Sequence, residues 1–401
     1  MPLVVAGYSA LTNPPVSECP MAALAPSALL FFCNAVMFIT LFSRMPAIQA
    51  ALGIDKAVLG LTLLGLPLGT FLALPLAGRV VEALTPRKAA ALMLVLLAAV
   101  LPLFPLMPLW GFATCFVFFA CFRTLLDVAA NMIVSQTERT TGTRVMARSH
   151  GFWSVGLLVG SLFSGWLAGL GFNPTAHLGF IGFFTFMAAG IVLAIAPHPD
   201  AQSVPDPNSK RGVLILPSKA ILLICCMIFG MAISEGAIYD WGMFLIRERI
   251  TDNPSTAGLL YACFTIGMGL TRLGGDSLRG RFSPPNIVRG SAIATIIGIV
   301  WVINASNIWA AGLALALTGC GVALIAPLAF STALSLPGRS QADNLAALAM
   351  CMLVATLGVP PLLGFVAEHV GIDWSFYALL PFVGLTVLLA GFATTRTIKT
   401  D

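Results

Sequence analysis

Charge is what this chain of 401 residues has least of. Asp, Glu, Lys and Arg make up 9% of it, against about 25% in soluble proteins. Hydrophobic residues make up 58% and the mean hydropathy is +0.96. A soluble domain is excluded. The short alternating segments of a transmembrane β-barrel are missing as well. The apolar runs are instead continuous and about 20 residues long, as spanning helices are. No GxxxxGK[ST] loop occurs, so nothing signals an ATP-driven pump. The nine cysteines form no CxxC or Cys/His pattern and read as small apolar fillers, with no metal site. No nucleophile–base pair stands at a recognisable spacing, so neither an enzyme nor a cofactor is expected. Residues 1–20 contain no Lys or Arg and are interrupted by Pro14, Pro15 and Pro20. They lack the basic start of a signal peptide and are expected to form a tail.

Twelve spans are expected, near 21–43, 57–79, 88–107, 109–134, 149–170, 177–196, 218–246, 255–275, 287–304, 308–335, 344–367 and 374–394. The polar stretch from His198 to Arg211, rich in Pro, Asp and Ser, divides them six and six. The predicted organisation is an all-α membrane protein: tail 1–20, six-helix bundle 21–196, cytoplasmic linker 197–217, six-helix bundle 218–395 and tail 396–401. If both termini face the cytoplasm, the opposite side holds only Arg44, Lys56, Arg247 and Arg249 of the 21 Lys and Arg. Nearly all the rest lie on the cytoplasmic side, as the positive-inside rule requires. The halves also resemble each other. Gly69–Pro86 aligns with Gly267–Pro284, pairing Gly69 with Gly267 and Leu84-Thr85-Pro86 with Phe282-Ser283-Pro284. Two like bundles in the same orientation form the parallel-repeat plan of transporters, with a site between the halves near the midplane.

The few charges inside spans are the informative ones, because each costs about 2.5–3.5 kcal/mol at a bilayer centre. Arg123, Asp127 and Asn131 recur every four residues and share one side of the fourth helix. Two readings stand: a structural Arg123–Asp127 pair with Asn131 tying helices together, or a proton- or substrate-handling cluster on a central cavity. A low-dielectric cavity opposes ionisation of Asp127 while Arg123 favours it, so a motion that alters their contact offers a route to proton coupling. Glu235 lies about 24 Å from the cytoplasmic end of the seventh helix and is a second cavity acid. Asp240 and Trp241 are expected near the far interface. His150 reads as a helix-end or gate contact. Trp153 reads as a stacking platform for a ring-shaped solute or an interfacial anchor. Asn34 and Asn131 are candidate hydroxyl binders. Arg272 is a gate or snorkelling residue. Gly60, Gly65, Gly69, Gly156, Gly160 and Gly165 allow close helix packing, and Pro360-Pro361 is expected to kink the eleventh helix.

Between the second and third helices the chain reads Gly78-Arg-Val-Val-Glu82-Ala-Leu-Thr-Pro-Arg87-Lys88. This resembles the cytoplasmic loop of the major facilitator superfamily, G-x-L-x-D-R-x-G-R-[RK], with Glu82 at the Asp position and Thr85 at the inner Gly. Asp276, Arg279 and Arg281 form a looser counterpart in the second half. The resemblance implies that loop charges hold one end of a transporter closed, with Glu82 contacting Arg87 or Arg148. Four further stretches resemble the fucose-permease-like branch: Arg44–Gly53, Leu126–Asn131, His150–Gly156 and Glu235–Trp241. In that branch the position of Asp127 carries a proton-coupling carboxylate. The acidic position of its first helix aligns with Phe42, so the coupling scheme differs. Helix five has no proline, unlike many drug/proton antiporters. The resemblance implies a secondary transporter in a bacterial inner membrane, moving a small polar, sugar-like solute or other metabolite by alternating access with protons. A proton-coupled exporter and a non-transporting sensor or scaffold are the alternatives. The partners implied are a small-molecule substrate, protons and the lipid bilayer, with no nucleic acid and a monomeric state.

Overall fold

The structure, a computed structural model, describes residues 21–143, 145–197, 217–338 and 340–393. The tails and the stretch from His198 to Arg211 lie outside the described residues. Every regular element is helical: α1 Met21–Leu52, α2 Lys56–Leu84, α3 Pro86–Leu103, α4 Leu109–Thr141, α5 Met146–Gly169, α6 Pro174–Ile195, α7 Lys219–Arg249, α8 Pro254–Leu273, α9 Pro284–Ile303, α10 Ile308–Leu334, α11 Asp343–His369 and α12 Ile372–Ala393. A short helix, Gly275–Arg281, lies between α8 and α9. Eleven of these are long and apolar enough to cross a membrane; α8, where the eighth span is expected, falls outside that set.

Local chemistry sets the boundaries. Asp55 caps α2 by accepting from the Val58 amide at 2.6 Å, and Asn173, Ser218 and Asn253 cap α6, α7 and α8 in the same manner. Pro86, Pro174, Pro254 and Pro284 sit in the first turns of α3, α6, α8 and α9, where no amide proton is needed. Helix α11 breaks at Leu357-Gly358 and restarts with Pro360 and Pro361 in its first turn, consistent with the expected kink.

The two aligned glycines pack alike. Gly69 of α2 lies against Val117 and Ala120 of α4, and Gly267 of α8 lies against Ala316 of α10. Equivalent helices therefore meet at equivalent glycines. The halves join mainly through α5 with α8, α2 with α11 and α1 with α7. Two of these seams are glycine contacts. A Cβ on Gly60 would lie 2.8 Å from the Pro360 carbonyl oxygen, and one on Gly258 would lie 2.6 Å from the Gly165 Cα. Both contacts sit toward the Lys- and Arg-poor helix ends. There, Lys56 Nζ pairs with Glu248 at 2.9 Å and the Lys56 amide donates to Glu368 at 2.9 Å. The Ser255 hydroxyl donates to the Gly165 carbonyl at 3.3 Å. This end is sealed.

Trp241 corrects one expectation. It is fully buried, its ring against the position of Gly364, so it is part of the α7–α11 packing rather than an interfacial belt.

A charged cluster between the two halves

The site is built from α1 and α4 outward. Arg123 and Asp127 do not pair with each other: the ion pairs among the described residues do not include them. Asn34 of α1 stands between them. Its amide oxygen accepts from Arg123 Nε at 2.8 Å, and its amide nitrogen donates to Asp127 Oδ1. Only this amide orientation satisfies both neighbours, because Arg123 offers donors and an ionised Asp127 offers acceptors. Asn131 donates to the Asp127 backbone carbonyl at 2.8 Å, so it is tied to its own helix rather than to another.

The Arg123 guanidinium lies over two adjoining aromatic rings, 4.3 Å from the Phe38 ring centroid and 4.9 Å from that of Trp153, which are 6.2 Å from each other. Cation–π contact of this kind suits a planar, weakly hydrated guanidinium. Trp153 is thus occupied on one face by Arg123 and is not an interfacial anchor. Phe38 also meets Tyr239 of α7 edge-on at 5.3 Å. Through that contact the cluster reaches the second half.

On the far side of Tyr239 is a matching set. Its hydroxyl donates to Glu235 at 3.2 Å, and Arg272 Nη2 donates to the same carboxylate oxygen at 3.3 Å. Arg272 Nε also donates to the Ala323 carbonyl at 3.3 Å. Two expectations are corrected here. Arg272 does not snorkel to the basic helix ends but turns inward, and Glu235 meets it rather than facing the opposite half of the membrane. The Arg272 and Glu235 side chains are 30% and 22% exposed although they lie between the halves. Space that admits water therefore adjoins this pair.

The remaining candidates are less central. The His150 ring lies 4.5 Å from Phe31 at the start of α5, within electrostatic reach of Arg272. Gly78 is half-buried on α2. Glu82, Lys88 and Arg148 are exposed, and Arg87 is half-buried. The backbone of Asp276 lies in the short helix, and its side chain is outside the described residues. Thr85 has φ +71°, the only positive φ outside glycine among the described residues. This is where the loop pattern carries glycine.

Sequence reading missed Phe38, Tyr239 and the sealing residues Lys56, Glu248 and Glu368. The first two had a signal: Phe38 follows Asn34 by four residues and Tyr239 follows Glu235 by four, so each shares its helix face. Phe42, aligned with the acidic position of the fucose branch, is fully buried and packs on Phe38 at 4.8 Å.

Comparison with known proteins agrees with this architecture. The chain is 29% identical over 367 residues to the uncharacterized transporter y4wD of Sinorhizobium fredii, spanning 90% of this chain and 95% of that one. Among solved structures, the nucleoside transporter NupG superposes with a TM-score of 0.71 at 17% identity, over 94% of this chain and 99% of that one. The transporter FucP in its outward conformation superposes with a TM-score of 0.61 at 19% identity, over 92% and 98%. The Major Facilitator Superfamily profile matches residues 27–353, more than half of the chain. The chain belongs to the Major Facilitator Superfamily and is an integral membrane transporter of solutes, not an enzyme.

Proposed function

We propose that the chain is a proton-coupled secondary transporter that carries a small polar solute, sugar- or nucleoside-like, through the bacterial inner membrane by alternating access. The observation that carries this reading is the Arg123–Asn34–Asp127 relay, which meets Tyr239, Glu235 and Arg272 across the seam between the halves. Charges this deep in a membrane protein are costly unless they serve a pathway or are paired. Here Asp127 is held by an amide rather than by the cation beside it. Its charge therefore depends on where Asn34 and Arg123 stand. A solute that displaces Arg123 from the faces of Phe38 and Trp153 withdraws positive charge from Asp127 and favours its protonation. Closure of the site, returning Arg123, reverses that.

The walls suit such a solute. Phe38, Trp153 and Tyr239 present ring faces, while Asn34, Asp127, Glu235 and Arg272 present hydrogen-bonding groups around them. The name of NupG, a nucleoside transporter, agrees with this class. An exporter of apolar drugs requires a mainly apolar cavity, and a scaffold requires no cluster of charges. Twelve spans in two six-helix bundles, 21–196 and 218–395, complete the reading, with α8 as the eighth span and both termini cytoplasmic. The sealed end is then extracytoplasmic, the space beside Arg272 and Glu235 opens as a cleft at the basic end toward the cytoplasm, and the loop around Glu82 belongs to a gate that forms in the opposite state.

Uptake of labelled pentoses, hexoses and nucleosides into proteoliposomes, under imposed proton gradients of either sign, tests this. Accumulation of one polar class with an inward gradient is expected. Accumulation of cationic drugs alone, with an outward-driven exchange, overturns it in favour of the exporter.

A further inference from the structure

Beyond the central cluster, toward the sealed end, lies a second cavity of about 40 Å³. Its walls come from both halves: Ser43 and Arg44 of α1, Ser164 of α5, Arg247 of α7 and the first turn of α8 at Pro254 and Ala257. Two arginines line it and no acidic residue does. Arg44 is only 6% exposed. One of its terminal nitrogens donates to the Phe172 carbonyl, but its Nε is buried without a hydrogen-bond partner. The Ser43 hydroxyl in the same wall is also buried without one. Arg247 is close enough for its charge to act on Arg44, and the ion pairs among the described residues include neither. Glu248, next in sequence to Arg247, is engaged by Lys56. His177, fully buried and within reach of the Arg44 charge, offers no negative charge either.

Buried charges are normally paired or ligated, and buried donors normally have acceptors. This cavity gathers two cations around a space with no negative charge in its walls, and two of its wall residues, Arg44 and Ser43, carry buried polar atoms without partners. The volume decides the class. At about 10–15 Å³ for each water, the space takes about three or four waters or one small ion. A phosphate ester or a carboxylated metabolite is too large.

We propose that this cavity binds one chloride or similarly small inorganic anion between Arg44 and Arg247, with the Ser43 hydroxyl as a further donor, and that the ion latches the two halves at this end. Because each half supplies one arginine, the site exists only while the end is closed. By linkage, the anion then favours that conformation. The latch rests on the alternating-access reading; the binding does not.

The test uses the full chain in nanodiscs with no transported solute, so its outcome is independent of substrate and proton coupling. Radiolabelled chloride binding is measured, and thermal unfolding is followed as chloride replaces gluconate at constant ionic strength. Saturable binding of about one ion per chain is expected, with an unfolding temperature that rises and then levels. Arg247→Gln should weaken binding at least tenfold, and Ser43→Ala several-fold. In gluconate alone, Arg247→Gln should unfold no earlier than wild type, since it removes a repulsion; a residue that merely supports the fold would lower it. Chloride should also slow hydrogen exchange at the sealed ends of α2 and α11. Absence of saturable binding, or equal binding by wild type and Arg247→Gln, overturns the site. Binding without slowed exchange overturns the latch.

Discussion

Gly60→Val and Gly258→Val should each hold the sealed end open. A Cβ at Gly60 would lie 2.8 Å from the Pro360 carbonyl oxygen and 2.9 Å from the Pro361 Cα; at Gly258 it would lie 2.6 Å from the Gly165 Cα and 2.8 Å from the Ser161 carbonyl oxygen. All four obstacles belong to the other half of the chain and are backbone atoms, which cannot rotate aside. The clash thus exists in the closed state and vanishes when the halves separate at that end. Overpacking of this kind costs about 1–3 kcal/mol, which moves a two-state equilibrium by about 5–150-fold. Hydrogen–deuterium exchange reads it directly. Segments 50–62 and 358–371 at the sealed end should exchange faster, while 79–90 at the basic end should exchange more slowly as the cleft there closes. The two positions are counterparts in the repeat, so both variants should move the same segments in the same direction. A uniform rise in exchange along the chain would mean general destabilisation and would refute the reasoning, as would no change.

Two further predictions concern single residues. Asn34→Ala removes one charge-assisted hydrogen bond from Arg123 and one from Asp127, each worth about 1.5–3 kcal/mol at most. Combined with Asp127→Asn in a double-mutant cycle of unfolding in detergent, it should show a coupling of at least about 0.5 kcal/mol; additive losses would mean that the amide does not act on Asp127. Thr85→Gly should stabilise the protein, because Thr85 holds φ +71° and ψ 149°, a region essentially reserved for glycine and costing about 1–3 kcal/mol. The gain, reduced by the added freedom of glycine in the unfolded chain, should raise the melting temperature, whereas Thr85→Ala should not.

What was legible in the sequence followed short-range periodicity. The four-residue spacing of Arg123, Asp127 and Asn131 placed them on one side of α4, and the alignment of Gly69 with Gly267 anticipated equivalent helix contacts. What was not legible depended on partners far away in the chain. Asn34 comes to Asp127 from 93 residues earlier, and it alone turns an apparent ion pair into a relay. Lys56 meets Glu248 across 192 residues and Glu368 across 312. No local pattern distinguishes such residues from solvated helix ends. Arg272 was misplaced for a related reason: its long side chain reaches back along the helix, so the position of its Cα near the basic end did not give the depth of its charge. The same limit hid Trp241, whose position near a helix end suggested an interface while the close approach of Gly364 buries it.

The most direct test of the central claim is proton movement in proteoliposomes loaded with a pH-sensitive dye, comparing wild type with Asp127→Asn as the transported solute is added. Proton flux that begins with solute addition in wild type and is absent in Asp127→Asn, which no longer concentrates the solute, is the predicted result. An Asp127→Asn protein that still concentrates solute with protons moving would contradict the account and leave Asp127 as a structural partner of Asn34.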